Sequence, residues 1–398
     1  MPTTVSVIPH EGRTTMAVDG HLLPGMSYFS YMYQRGEVNP QYFREMVEAG
    51  TRIFFCPWHI DTAPSSKTGH RPLTWAEDGT LDFSLVDQWM TALAETSPEL
   101  WYMLRIRLAT PDWWAEQHPE ELVRYADSEA LTTPPQRGFP YTRQASMASE
   151  RWRADVSAVL RRLIAHVEGG PHADRVLGYM LNSGGTEEWV YWGGQQGQIP
   201  DYSAPATRAF RHWLREKYGE AKALSEAWGG SLPHLLSSPS ETPDWKTLDF
   251  DSVEVPAVEA RRRAQPYVLR DPRIDQPAID YDLFLSDMCA ETLLGFCSVV
   301  KEATQRRKLT GAFYGYLLWQ TGLINPALNN AHLALRKLLD SPEIDFLTGI
   351  TSYDNRQLGG PGSFMLPVEA VQAAGKLHYS EVDLRTHLTS VPHSRQYE

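Results

Sequence analysis

At 398 residues the chain is long enough for one large barrel or two ordinary domains, and its 42% hydrophobic and 22% charged residues are ordinary for a globular protein. A net charge of −12, a pI near 5.6 and no basic tract argue against nucleic acid or an anionic membrane as partner. Cys56, Cys289 and Cys297 stand in no metal-type or CxxC spacing, which suits free thiols in a reducing compartment. With no basic stretch before an apolar one at the N-terminus and no run that reads as a transmembrane segment, a cytoplasmic protein is expected.

Residues 1–24 read as an N-terminal β-hairpin segment that turns at Asp19-Gly20, between 14–18 and 21–23. From residue 25 strand-like and helix-like patterns alternate. Strands are expected at 25–30, 52–58, 100–108, 176–182, 309–319, 344–353 and 376–382. Helices are expected at 40–49, 82–96, 149–167, 207–218, 221–228, 280–304, 327–339 and 367–374. In the second of these, Leu85, Val86, Trp89, Met90 and Leu93 recur at helical spacing. Residues 231–275, rich in Pro, Ser and charge, read as an insertion on the surface. Strands alternating with helices imply a parallel sheet with βα crossovers, and seven nearly continuous apolar strands suit an α/β fold of the (β/α)8 TIM-barrel type over 25–398. Only residues 382–398 follow Glu381, too few for an eighth strand and its helices. The expectation is a barrel truncated before that strand, as a fragment of a longer protein or one that closes imperfectly.

Two of these strands run into glutamates among aromatics. The fourth, 176–182, ends at Asn182 and leads through Ser183-Gly-Gly-Thr-Glu187-Glu188 to Trp189, with Tyr191 and Trp192 close behind. The seventh ends Leu377-His-Tyr-Ser-Glu381. Barrel active sites lie at the C-terminal ends of the strands. A retaining glycoside hydrolase needs one carboxylic acid to protonate the leaving oxygen and one carboxylate to attack the anomeric carbon, about 5–5.5 Å apart. The 13 Trp, 18 Tyr and 13 Phe add colour, because sugar rings stack their C–H faces on aromatic rings.

Each residue also has a plain reading. Glu381 could be a solvated loop residue, and Glu188 an acid favoured by the dipole of a helix start. Arg105 sits in a strand interior, where a cation needs a partner in the site or a structural ion pair. Tyr316, Trp319 and Trp58 could line a sugar pocket or pack in the core. Trp113-Trp114 could anchor a loop. The histidines show no HExxH or paired spacing, so no metal and no cofactor are expected.

Several runs resemble the β-galactosidase-like glycoside hydrolases of clan A, near family 42. They are Arg105-Ile-Arg-Leu-Ala-Thr-Pro-Asp-Trp-Trp114, Gly185-Thr-Glu-Glu-Trp189, Ala209-Phe-Arg-His-Trp-Leu-Arg-Glu-Lys-Tyr-Gly219 with Leu224-Ser-Glu-Ala-Trp-Gly229, and Ser352-Tyr-Asp-Asn-Arg-Gln-Leu-Gly-Gly360 through Gly375-Lys-Leu-His-Tyr-Ser-Glu381. The resemblance implies an acid/base glutamate after the fourth strand and a nucleophile after the seventh, here Glu188 and Glu381. It also implies a tyrosine, here Tyr353, that donates its O–H to the nucleophile. In much of the clan an Asn directly precedes the acid/base; here Glu187 does, and the nearest Asn is Asn182, so Glu187 and Glu188 both stay candidates. Arg105, Asn182, Tyr316, Trp319, Tyr353, Trp58 and Trp189 are the candidate substrate-binding residues. The implied function is hydrolysis of terminal β-glycosides, β-galactosides first, by double displacement. Rival readings are the same machinery on another β-sugar or polysaccharide, or an inactive carbohydrate-binding barrel or fragment. The implied partner is a carbohydrate, with homo-oligomerisation left open.

Overall fold

The computed structural model describes residues 3–29, 38–61, 74–126, 143–191, 198–229, 248–263, 270–317, 331–351 and 359–382. Trp319, Tyr353 and the residues after 382 lie outside these ranges.

Three short strands, β1 (Val5–His10), β2 (Arg13–Val18) and β3 (His21–Leu23), pair antiparallel in the order β1-β2-β3. Asp19 and Gly20 make the expected turn, both at positive φ (48° and 83°), as a two-residue hairpin turn requires. β1 adds a third strand to the hairpin read from the sequence. Its Pro9 weakens the strand signal and is tolerated because β1 is an edge.

The apolar runs that follow become β4 (Ser27–Tyr28), β5 (Ile53–His59), β6 (Trp101–Arg107), β7 (Val176–Asn182), β8 (Leu309–Phe313), β9 (Phe346–Ile350) and β10 (Leu377–Glu381). They form one parallel sheet whose spatial order is the chain order. The sheet curls until its two ends face each other. Phe29, just past β4, meets Phe313 of β8 at 6.2 Å between ring centroids, and Phe55 of β5 meets Tyr379 of β10 at 6.2 Å. Such contacts across the concave face are those of a barrel.

Helices cover the convex face. Phe43 of Pro40–Glu48 packs edge-on to Phe54 (5.7 Å), and the long helices Glu150–Glu168 and Pro272–Ala303 bury most of their apolar stripe. Caps mark their starts: Asn39 accepts from Gln41 N–H and Ser149 from Trp152 N–H. The last long helix begins eight residues earlier than its pattern predicts, at Pro272 instead of 280. Asp271 caps it by accepting from Arg273 N–H (2.9 Å), and the helix kinks at Asp275 (φ −117°, ψ 16°) ahead of Pro277, whose presence hides the first turns in the sequence. This helix corrects another expectation: by length and composition it could cross a membrane. Yet 67% of its most apolar window is buried within the fold, as in a core helix. Of the expected insertion at 231–275, the residues described include buried Phe250, Val253 and Ala260, which tie it to the body.

The β1–β3 sheet closes the N-terminal end of the barrel. Thr3 Oγ1 donates to Asp174 O (2.7 Å), Val5 N to Arg307 O (2.8 Å) and Thr14 Oγ1 to Lys376 O (2.8 Å), carbonyls at the entrances of β7, β8 and β10. The opposite, C-terminal end is left for the site.

Small residues permit the tight interior. A Cβ on Gly311 of β8 would lie 2.2 Å from the Phe346 ring. Gly311→Ala is therefore expected to lower unfolding stability by about 1–3 kcal/mol through overpacking, read as a drop in denaturant midpoint at unchanged slope.

Candidate active site

Alternation along a strand decides what faces the barrel interior. On β5, Phe54 and Trp58 point to the helices, so Phe55 and His59 point inward. Paired positions in a parallel sheet share a face, and the register carries this around: His59 lies beside Arg107 and Arg107 beside Asn182, while Thr348 lies beside Tyr379 and Ile350 beside Glu381. Glu381 thus stands at the C-terminal end of β10 on the inner face. It lines a cavity of about 300 Å³ with Phe29, Phe55, Met180, Phe313 and Tyr379.

The loop after β7 is folded tightly upon itself. Trp189 N donates to Ser183 O (2.7 Å) and Gly185 N to Val190 O (2.7 Å). Gly184, at φ +77°, passes so near this closure that a Cβ would sit 2.2 Å from Val190 O. The pinch sends two consecutive glutamates to different partners. Glu187 turns into the protein, 1% exposed; its Oε2 is 2.6 Å from Arg105 Nη2 and its Oε1 3.7 Å from Arg107 Nη1. Arg107 in turn donates from Nε (3.2 Å) and Nη2 (2.9 Å) to Asp61, whose carboxyl burial pushes up while Arg107 holds it down. Arg105 also lies over the Phe29 ring at 4.0 Å.

Glu188 is half-buried. Its Oε1 accepts from the Tyr316 phenol (2.9 Å), and its Oε2 contacts the Thr186 hydroxyl. The backbone carbonyl of Glu188 meets His332 Nε2 (2.9 Å), while His332 Nδ1 accepts from Tyr316 N–H (3.2 Å). That pair of bonds fixes the tautomer with the proton on Nε2. Burial pushes the His332 pKa down to about 3, so the ring is neutral.

The other candidates fall differently. Tyr316 is not on a strand: β8 stops at Phe313, Gly315 takes φ +99°, and the ring turns toward Glu188. Asn182 is fully buried at the end of β7, and neither polar atom of its amide has a hydrogen bond among the described residues. Trp58 and Trp189 are fully buried on the helix side. Trp58 Nε1 donates to Asp82 O (3.1 Å) and its ring stacks on Phe83, while Trp189 Nε1 donates to Leu181 O (2.8 Å). Neither ring presents a face to the cavity. Trp113 and Trp114 anchor their loop, donating to Trp75 O (2.7 Å) and Asp155 Oδ2 (2.9 Å). Arg107, Asp61 and His332 were not singled out in the sequence. Arg107 had a signal, since i and i+2 on an apolar strand share a face and a second buried cation needs a carboxylate; His332 had none. Among the described residues no group of three or more His, Cys, Asp or Glu is placed to hold a metal ion.

A curled parallel sheet with glutamates at the C-terminal ends of its fourth and seventh strands is the arrangement of a (β/α)-barrel glycoside hydrolase. The family model Glyco_hydro_42, described as beta-galactosidase, matches residues 73–332, more than half of the sequence, and the chain belongs to that family. Glu188 lies inside the matched span and Glu381 beyond it. The chain is similar to beta-galactosidase BgaA of Thermus sp, 28% identical over 209 residues, covering 49% of this chain and 29% of that protein. It is also similar to a beta-galactosidase of Thermus thermophilus, 27% identical over 209 residues with the same coverage of 49% and 29%. The chain thus spans about 29% of the length of these curated relatives. Among solved structures, the beta-galactosidase of the psychrophilic Marinomonas ef1 aligns with a TM-score of 0.51 at 18% identity, over 83% of this chain and 41% of that one. The catalytic domain of the beta-amylase of Paenibacillus polymyxa aligns with a TM-score of 0.60 at 13% identity, over 90% and 85%. Both likenesses show a shared fold.

Two stability predictions follow from the site. Glu187→Ala removes the buried carboxylate at Arg105 and the second carboxylate at Arg107, which keeps Asp61, and is expected to lower unfolding free energy by about 3–5 kcal/mol, whereas Glu188→Ala, at a half-buried position with neutral partners, should lower it by about 1 kcal/mol or less. Equal losses in denaturant melts would contradict the division between the two glutamates. His332 binds its proton far more weakly folded than unfolded. Stability should therefore be full above pH 6.5 and fall by roughly 1.4 kcal/mol per pH unit as the pH drops from there toward 3. Subtracting the pH–stability curve of His332→Gln from that of the parent isolates this slope.

Proposed function

We propose that the chain is a retaining β-glycosidase acting on terminal β-galactosides, with Glu188 as acid/base and Glu381 as nucleophile. The observation that carries this reading is the placement of the three glutamates. Glu381 ends β10 on the inner face of the barrel and borders its cavity, and Glu188, in the loop after β7, is held by the Tyr316 phenol. Glu187, the rival for the acid/base role, is committed to Arg105 and Arg107. With both its oxygens turned to buried guanidinium groups, Glu187 is the less suited of the two to meet a leaving oxygen.

In the first step Glu381 attacks the anomeric carbon while protonated Glu188 gives its proton to the leaving oxygen, forming a glycosyl ester. In the second, Glu188 as carboxylate takes a proton from water, which attacks the ester and frees Glu381. Asn182, with its amide at the level of Arg107 on the inner face, is suited to a sugar hydroxyl. Membership of the family and similarity to proteins named beta-galactosidase favour the β-galactoside over other sugars.

A panel of nitrophenyl glycosides, tested anomer by anomer, checks the reading; turnover of α-anomers in preference to β would sink it. Glu381→Gln should reduce turnover at least about a thousandfold without loss of fold, since an amide forms no glycosyl ester. Glu188→Ala should lose about a hundredfold to ten-thousandfold on alkyl glycosides and far less on nitrophenyl glycosides, which need little protonation of the leaving group. Leaving-group dependence in Glu187→Ala instead would transfer the acid/base role to that residue.

A further inference from the structure

Glu188 closes a ring of hydrogen bonds that has no role in the chemistry so far described. Its backbone carbonyl takes the His332 Nε2 proton (2.9 Å), His332 Nδ1 takes the Tyr316 amide proton (3.2 Å), and the Tyr316 phenol returns a proton to Glu188 Oε1 (2.9 Å). The same residue is thus held at its backbone and at its carboxyl, through two others joined to each other. All three come from separate parts of the fold: the loop after β7, the turn after β8, and the segment before the helix Leu335–Asp340. We propose that His332 and Tyr316 are positioning residues for the general acid, which fix Glu188 with Oε1 as acceptor and Oε2 as the oxygen that carries the transferable proton. This rests on the assignment of Glu188 as acid/base.

The proton count supports the second half. Oε1 is engaged by the phenol as an acceptor. On the other oxygen stands Thr186 Oγ1, whose one proton has Gly185 O (2.6 Å) and Glu188 Oε2 as acceptors in reach among the described residues. With Glu188 protonated on Oε2, the carboxyl donates to Thr186 Oγ1 and Thr186 donates to Gly185 O. With Glu188 ionised, the hydroxyl rotates and donates to Oε2. Both protonation states are satisfied with no heavy atom of the protein moved: in the first step the Oε2 proton turns from Thr186 to the leaving oxygen while the Thr186 hydroxyl turns its own proton to Oε2, and in the second step the proton taken from water returns to Oε2 and Thr186 turns back to Gly185 O. His332 suits the part because it stays neutral: a ring that took up a second proton would lose the acceptor that holds Tyr316. Among the described residues Glu188 meets Tyr316 and His332 directly, the Tyr314 ring lies against His332 (4.3 Å between centroids), the Cys289 thiol donates to Trp189 O (3.4 Å), and the adjacent Glu187 is turned to Arg105 and Arg107.

The test combines kinetics with one measurement that needs no turnover. His332→Ala and Tyr316→Phe are compared with the parent and with Glu188→Ala on aryl and alkyl β-galactosides of graded leaving-group acidity. A misplaced acid should lose about tenfold to a hundredfold on alkyl glycosides and within about threefold on nitrophenyl glycosides. Tyr316→Phe should also move the alkaline limb of kcat/KM upward by about one pH unit, because a donor that favours the carboxylate is gone. His332→Gln, which returns a donor to the Glu188 carbonyl, should recover part of the loss. Uniform losses in His332→Ala and Tyr316→Phe with an unmoved limb, while Glu188→Ala keeps its leaving-group dependence, would overturn the positioning role and leave the glycosidase reading intact. Absence of that dependence in Glu188→Ala would overturn the reading itself. Independently, nitrogen-15 NMR of the full chain should show His332 as the Nε2–H tautomer, without titration between pH 5 and 8; an Nδ1–H tautomer or a titration near 6.5 breaks the ring.

Discussion

Two arginines two positions apart on β6 set the terms for everything above them. Arg105 and Arg107 share the inner face of the barrel with Phe55, Met180, Phe313 and Tyr379, among which an uncompensated cation costs several kcal/mol. Their compensation comes from three directions: Asp61 just past β5, Glu187 in the loop after β7, and the Phe29 ring past β4. Four consecutive strands are joined at their C-terminal ends by this one cluster. Its charge balance is set by neighbours, not by solvent, and that rigidity is what the loop carrying Glu188 is built on.

The adjacent glutamates stand in different company. Glu187 is buried against two guanidinium groups, which suits an anchor. A general acid must be able to gain and lose a proton, and the neutral partners of Glu188 suit the role proposed for it: a phenol and a hydroxyl at its carboxyl and an uncharged imidazole at its backbone carbonyl.

Much of the barrel was legible because buried parallel strands are short apolar runs and their helices repeat every 3.6 residues. Val176–Asn182 was read to the residue, and the strand expected at 376–382 is β10, Leu377–Glu381, within one residue at each end. Legibility failed where backbone events intervene. Gly315 ends β8 early and turns Tyr316 from a pocket wall into a partner of Glu188, and Pro277 conceals the start of a helix. It failed again for aromatic residues. A tryptophan on an even position of β5 and one beside a site loop look alike in sequence, but strand alternation sends Trp58 to the helices and the loop's pinch sends Trp189 into the core. His332 is the hardest case: its partners are 16 and 144 residues away, and nothing local marks it.

The pinched loop after β7 also carries a consequence for length. Gly184 and Val190 hold its two ends in contact, so the residues between have no slack. Deleting or inserting one residue there would shift the phase of everything downstream within the turn. Glu187 would be brought round to the phenol and Glu188 or Thr186 to the arginines, exchanging the partners of the two carboxylates or leaving Asp61 as the carboxylate of the cluster. Insertions in surface loops are ordinarily cheap, but here the spacing of two charges is counted in single residues, and a change of length should cost more than a substitution.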